Sequence, residues 1–108
     1  MAFTLLNQII EHNLQFARAY NLRAHIRYLR RDYLGAIEDA NHAIDLEPLV
    51  GAYYYNRGYY REYLKNFAGA LGDFRHAREF GIEQGDDDLV DAADHHIPDL
   101  ERWLANGE

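Results

Sequence analysis

Displaced by 34 residues, the sequence falls on itself: Arg23 aligns with Arg57, Arg27 with Arg61, Gly35 with Gly69, Ala36 with Ala70, Asp39 with Asp73, His42 with His76 and Ala43 with Ala77. Like-for-like exchanges lie between these identities, Arg31 with Lys65, Asp32 with Asn66 and Tyr33 with Phe67. The self-similarity therefore runs without a gap, and its period is that of one helix–turn–helix unit. A chain of this kind buries its apolar faces by packing hairpins on one another, and such an array serves as a surface for holding something.

Apolar spacing supplies the helices. Phe3, Leu6, Ile9, Ile10 and Leu14 recur at helical intervals and predict one amphipathic helix over residues 1–15, in phase with the second helix of an absent earlier repeat. A first full repeat spans residues 16–48, with helices over 16–30 and 33–46 and a turn at Arg31 and Asp32. Asp32 is placed to cap the second of these helices, and Pro48 cannot continue it. A second repeat spans 49–82, with Asn66 as the equivalent cap and Gly81 as the helix stop. Residues 83–108 form an acidic C-terminal cap whose helix starts near Asp86, where aspartates favour the positive end of the helix dipole. Pro98 is expected to break it, leaving a short separate helix over residues 98–105.

Small residues explain the period. Ala24, Ala36 and Ala43, and their counterparts Gly58, Ala70 and Ala77, fall where two antiparallel helices approach closely. Tyr20, Tyr33, Ile37, Tyr54, Phe67 and Leu71 are the bulky partners that fill the space between repeats. Tyr20, Ala24, Tyr33, Ala36, Ala43 and Pro48, then Tyr54, Gly58, Phe67, Ala70 and Ala77, resemble the signature of the tetratricopeptide repeat family. The resemblance implies an all-α fold of antiparallel helix hairpins stacked as a short right-handed solenoid, one domain over residues 1–108 with a concave groove. It departs from the pattern at Gly81 and Ile82, where the family has a proline.

Composition excludes several chemistries. Cysteine and serine are absent and Thr4 is the one aliphatic hydroxyl, so acyl transfer through a Ser or Cys nucleophile is ruled out. No run of about 18 apolar residues is present to span a bilayer, and residues 1–16 lack the pattern of a secretion signal, so the expected location is cytoplasmic. Residues 1–82 carry ten Arg and Lys against nine Asp and Glu, while residues 83–108 carry one against nine. The acidic end repels phosphate backbones, which argues against nucleic acid as a partner despite Arg18, Arg23, Arg27, Arg30 and Arg31. Neither a membrane partner nor a cofactor is expected.

One helix is crowded with tyrosine. Tyr54 reads as core, and Tyr53 and Tyr60 pack between helices. Tyr55, Tyr59 and Tyr63 step at i, i+4 and i+8 along one side. By the family resemblance that side lines the groove, with Asn56 and Glu62 beside it and Asn21, His25, Tyr28 and Leu29 on the preceding helix. Such a ladder offers stiff amphipathic contact area of the type found in binding hot spots. The same tyrosines would also serve simply to cover the array or to pack on the C-terminal helix. The resemblance also brings to mind the carboxylate clamp of co-chaperones, which grips an acidic chaperone C-terminus. Asn56 matches one clamp asparagine, but Asn21 and His25 stand in place of Lys and Asn, and Asp86 and Val90 in place of Lys and Arg. A neutral, aromatic or basic segment is the better expectation.

Arg27 and Arg61 are each followed twelve residues later by Asp39 or Asp73, which predicts one structural ion pair within each hairpin. His42 and His76 read as outer-face residues. Asp91 and His95 have an i, i+4 spacing that suits a metal, but the neighbouring His96 points about 100° away, and a solvated acidic helix accounts for the same residues. No metal site is expected. Three functional classes follow: a non-enzymatic module that binds a peptide or protein, a scaffold that self-associates through its N-terminal helix as a homodimer, and, least favoured, a hydrolase using Asp91, His95 and Asp99.

Overall fold

The computed structural model describes residues 2–13 and 16–107, so Leu14 of the N-terminal apolar stripe lies outside the described residues. Among the described residues six helices follow one another: α1 (Ala2–His12), α2 (Ala17–Leu29), α3 (Tyr33–Leu46), α4 (Gly51–Tyr63), α5 (Phe67–Gln84) and α6 (Asp87–Asn106). They fall into two units, residues 1–48 and 49–108.

The same turn closes both hairpins. Arg31 and Lys65 take left-handed backbone conformations, with φ of 66° and 62°. The amides of Asp32 and Asn66 then reach back to the carbonyls of Arg27 and Arg61, at 2.8 and 2.9 Å, as in a Schellman helix end. The side chains of those same two residues turn forward as caps, accepting from the amides of Gly35 at 3.0 Å and Gly69 at 3.1 Å. At Gly69 a Cβ would stand 2.6 Å from Asn66 Nδ2, so a larger residue there would make the Asn66 side chain shift.

Within each hairpin the alanines do what the period implies. Ala24, Ala36 and Ala43 are buried in the first unit, and Ala70 and Ala77 in the second. Gly58 takes the place of Ala24, and a Cβ on it would meet the Asp73 Cβ at 3.0 Å and the Ala70 carbonyl at 3.2 Å. In the first unit α1 lays Leu6 and Ile10 into the core and leaves Leu5 57% exposed. Phe3 sits beneath the guanidinium of Arg30, 4.5 Å from its ring centre.

Each core is centred on a carboxylate. Asp39 and Asp73 are 1% and 2% exposed, and each receives two hydrogen bonds from one guanidinium: Arg23 to Asp39 at 2.8 and 2.7 Å, Arg57 to Asp73 at 3.0 and 2.8 Å. The twelve-residue offset held at Asp73, where Arg61 donates at 2.9 Å, but Arg27 stands 3.5 Å from Asp39 as a charge contact. The principal partners lie sixteen residues away, because a carboxylate facing the hairpin axis accepts a planar fork from the next turn of the opposite helix. Hydrogen bonding to Asp39 holds Arg23 protonated above its ordinary range, against the opposing effect of burial. Arg23 also donates to Asn7 at 2.9 Å and so ties α1 to the hairpin.

Three expectations are corrected. Gly81 does not end α5; a Cβ there would press on Val90 and on the Asp86 carbonyl, so glycine serves close approach. The helix ends at Gly85, which is left-handed at φ 70°, after Gln84 has reached back to the Leu49 carbonyl at 2.8 Å. Pro98 does not break α6, which runs through it, because buried Ala93 and Leu100 anchor the helix to α5 on both sides of the proline. Tyr54 is only half-buried, its ring beside His76 and Phe80, while Tyr53 and Tyr60 are the buried tyrosines of α4. His42 and His76 are exposed, as expected of outer-face residues, and each ring lies on a tyrosine, His42 stacked on Tyr20 at 4.9 Å and His76 tilted on Tyr54 at 5.4 Å.

Gly58→Ala is expected to destabilise the protein by about 1–3 kcal/mol through overpacking. Gly72→Ala, inside α5 with open space where the Cβ would go, should stabilise it by roughly 0.5–1 kcal/mol. Urea unfolding of the two variants checks both signs.

Candidate functional site

The second unit carries the tyrosine ladder on α4. Its ring centres are 6.4 Å apart between Tyr55 and Tyr59 and 5.5 Å between Tyr59 and Tyr63. Tyr55 and Tyr59 lean on the core formed by Ala70, Leu71, Phe74, Ala93 and Leu100. Tyr63 is 48% exposed.

A residue from α6 completes the arrangement. His96 stacks on Phe74, with centres 4.4 Å apart and planes 7° from parallel, and presents itself edge-on to Tyr55 and Tyr59. Its Nε2 shares a hydrogen bond with the Tyr55 hydroxyl at 3.2 Å. Its Nδ1 lies 2.6 Å from Glu62 Oε1, a salt bridge when the imidazole is protonated. That Glu62 oxygen is buried and receives no hydrogen bond from the described residues.

Two clefts flank this cluster. The first, of about 310 Å³, is lined by Tyr59, Glu62, Tyr63 and His96. The second, of about 300 Å³, shares Glu62 and His96 and adds Phe67, His95, Asp99, Leu100 and Trp103. The Phe67 and Trp103 rings meet edge to face at 5.1 Å. Neither lining contains Lys or Arg.

Of the residues expected from the sequence, Tyr59, Glu62 and Tyr63 meet at the first cleft and Tyr55 backs it through His96. Asn56 is half-buried on α4 and lines neither cleft. Asn21, His25 and Tyr28 belong to α2 of the first unit, at positions 34 residues before Tyr55, Tyr59 and Glu62. There His25 is exposed, Asn21 and Tyr28 are half-buried, and the His25 and Tyr28 rings are 6.0 Å apart. His96 was missed, although Ala93, His96, Ile97 and Leu100 share the 3–4 spacing that marks the inward face of α6. Among the described residues, Asp91, His95 and Asp99 join no group of three or more side chains able to hold a metal. The positions aligned with clamp cations serve the backbone instead: Asp86 caps α6 by accepting from Leu89, and Val90 packs close to Gly81.

No protein-family model matches the sequence, and no curated protein matches it. Solved structures do. The TPR2B domain of yeast Sti1, in complex with pHsp70, superposes with a TM-score of 0.86 at 22% identity, over 93% of this chain and 80% of that one. The TPR2AB domain of yeast Sti1, in complex with pHSP90, superposes with a TM-score of 0.84 at 22% identity, over 92% of this chain and 38% of that one. The likeness shows that the chain has the fold of a tetratricopeptide repeat domain. No helix among the described residues is long and apolar enough to cross a membrane.

Burial raises the Tyr55 hydroxyl above its ordinary value of 10.0, and the nearby Tyr59 and Glu62 push in the same direction. Folded Tyr55 thus keeps its proton to higher pH than the unfolded chain does. Its stabilising contribution is full below about pH 10 and is lost as pH rises through the raised value. In an absorbance titration of phenolate formation, Tyr55→Phe should remove a component that ionises above the ordinary tyrosine value; a titration unchanged in that range contradicts the assignment.

Proposed function

We propose that this chain is a non-enzymatic cytoplasmic interaction module that binds a peptide or protein segment. The reading rests on one observation above all, the Tyr59, Glu62, Tyr63 and His96 cleft, where rigid rings are held half-exposed by a packed helical scaffold. Tyrosine in such a setting contributes large contact area with few rotatable bonds, which is the physical basis of binding hot spots. The solved neighbours are complexes with pHsp70 and pHSP90, and their fold supports the same class of role for this chain. The ligand differs in charge, because no Lys or Arg lines either cleft and Glu62 stands between them. Asn21, His25 and Tyr28 offer the equivalent face of α2 in the first unit for further contact with the partner.

Tyr59→Ala is expected to weaken partner binding by about 2 kcal/mol, roughly thirtyfold, with little loss of stability. Tyr60→Ala, at a buried position of the same helix, should instead cost about 3–5 kcal/mol of stability. Quantitative affinity capture with wild-type and variant baits, alongside thermal melting, checks the pair. Partner retention that does not depend on Tyr59 overturns the reading.

A second reading is favoured by α1, where Leu5 stays exposed and lines a shallow depression with Ile9 and Phe16. Such a patch suits association of two copies through their N-terminal helices. Leu5→Asp should shift light-scattering mass toward the monomer at high concentration. Wild-type protein that stays monomeric throughout that range removes this reading.

A further inference from the structure

The cleft between α4 and α6 names the chemistry of its ligand, and the inference deepens the interaction-module reading on which it rests. We infer that it receives the guanidinium of an arginine side chain from a basic segment of the partner.

The cleft is lined by three rings, of Tyr59, Tyr63 and His96, and by the Glu62 carboxylate. Tyr59 and Tyr63 stand 5.5 Å apart at 48°, and His96 closes the third side edge-on to Tyr59. A planar cation is attracted to such ring faces, and the attraction grows where water is partly excluded. Glu62 Oε1 is buried against Nδ1 of His96, 2.6 Å away. The Glu62 side chain is 28% exposed and lines the cleft, so a donor entering there meets a carboxylate. A guanidinium supplies both needs, since its fork donates to a carboxylate while its face lies against a ring. An ammonium supplies the charge without the plane.

Charge around the cleft points the same way. Residues 49–108 hold six Arg and Lys against twelve Asp and Glu. Arg57 and Arg61 are committed to Asp73, Arg75 to Glu101, Arg78 to Asp94 and Arg102 to Asp99. The second cleft continues the same lining, with Asp99 beside Trp103. An anionic segment would meet Glu62 with no lysine or arginine in the lining to offset the repulsion. A neutral one would bring no charge to meet the Glu62 carboxylate.

The test uses the whole chain and four fluorescein-labelled peptides in which glycine alternates with arginine, with citrulline, with lysine or with tyrosine. Citrulline keeps the shape of arginine and removes its charge. Expected is saturable binding of the arginine peptide, with the citrulline peptide weaker by about tenfold or more and the lysine peptide between them. Glu62→Gln should lower arginine-peptide affinity by about tenfold and leave the citrulline peptide unchanged. Tyr63→Ala, at an exposed position, should weaken the arginine peptide severalfold without altering the melting curve. Asp45→Asn removes one negative charge from an exposed site in the first unit and should change nothing. Equal binding of arginine and citrulline peptides, or equal effects of Glu62→Gln and Asp45→Asn, overturns the inference. Binding of the tyrosine peptide alone overturns it too, while leaving the interaction-module reading intact. Binding of no peptide overturns the inference, whereas the module reading falls only if partner capture proves independent of Tyr59.

Discussion

Asp39 and Asp73 hold the hairpins together. A carboxylate buried to about one part in a hundred is tolerable only when its oxygens are fully engaged, and in each unit two arginines from the facing helix engage them. The pair sets the rotation of α2 against α3 and of α4 against α5, since a two-point fork accepts one orientation. The small residues follow from that choice. Gly58 leaves out a Cβ that would stand 3.0 Å from the Asp73 Cβ, as close approach of the helices at that level requires, and Ala70 and Ala77 are buried in the same hairpin.

The orientation imposed on α4 decides what its crowd of tyrosines does. With Arg57 and Arg61 aimed at Asp73, Tyr53 and Tyr60 turn into the core while Tyr55, Tyr59 and Tyr63 turn toward α6 and solvent. The helix thus carries a structural face and a recognition face on one short segment. α6 then meets the recognition face with His96, which fills the upper part of the ladder and leaves Tyr59, Tyr63 and Glu62 around an open cleft.

The hairpins were legible because their signals occur twice. Asp32 and Asn66 cap as their positions imply, and the alanines are buried as their spacing implies. What the repeat could not convey lies where the chain stops repeating. Gly81 and Gly85 are both plausible helix stops by composition, and the decision falls to Val90, which needs the room that Gly81 leaves. Pro98 is a local obstacle overridden by tertiary anchors at Ala93 and Leu100. The left-handed turns sit on Arg31 and Lys65, residue types that carry no local signal for positive φ. Arg23 and Arg57 were visible as repeat identities, but which arginine of each pair makes the fork depends on the register between helices. His96 lies among acidic residues that read as a solvated face, although its spacing from Ala93 and Leu100 places it inward.

The claim that a buried carboxylate and its fork organise each hairpin is tested most directly by a double-mutant cycle on Arg57 and Asp73, read by urea unfolding of the full chain. Arg57→Ala, Asp73→Ala and the double variant should show a coupling of at least ~1.5 kcal/mol, with the double variant much less unstable than the sum of the singles. A coupling within ~0.5 kcal/mol of zero would contradict the account, because the two side chains would then contribute to the hairpin independently.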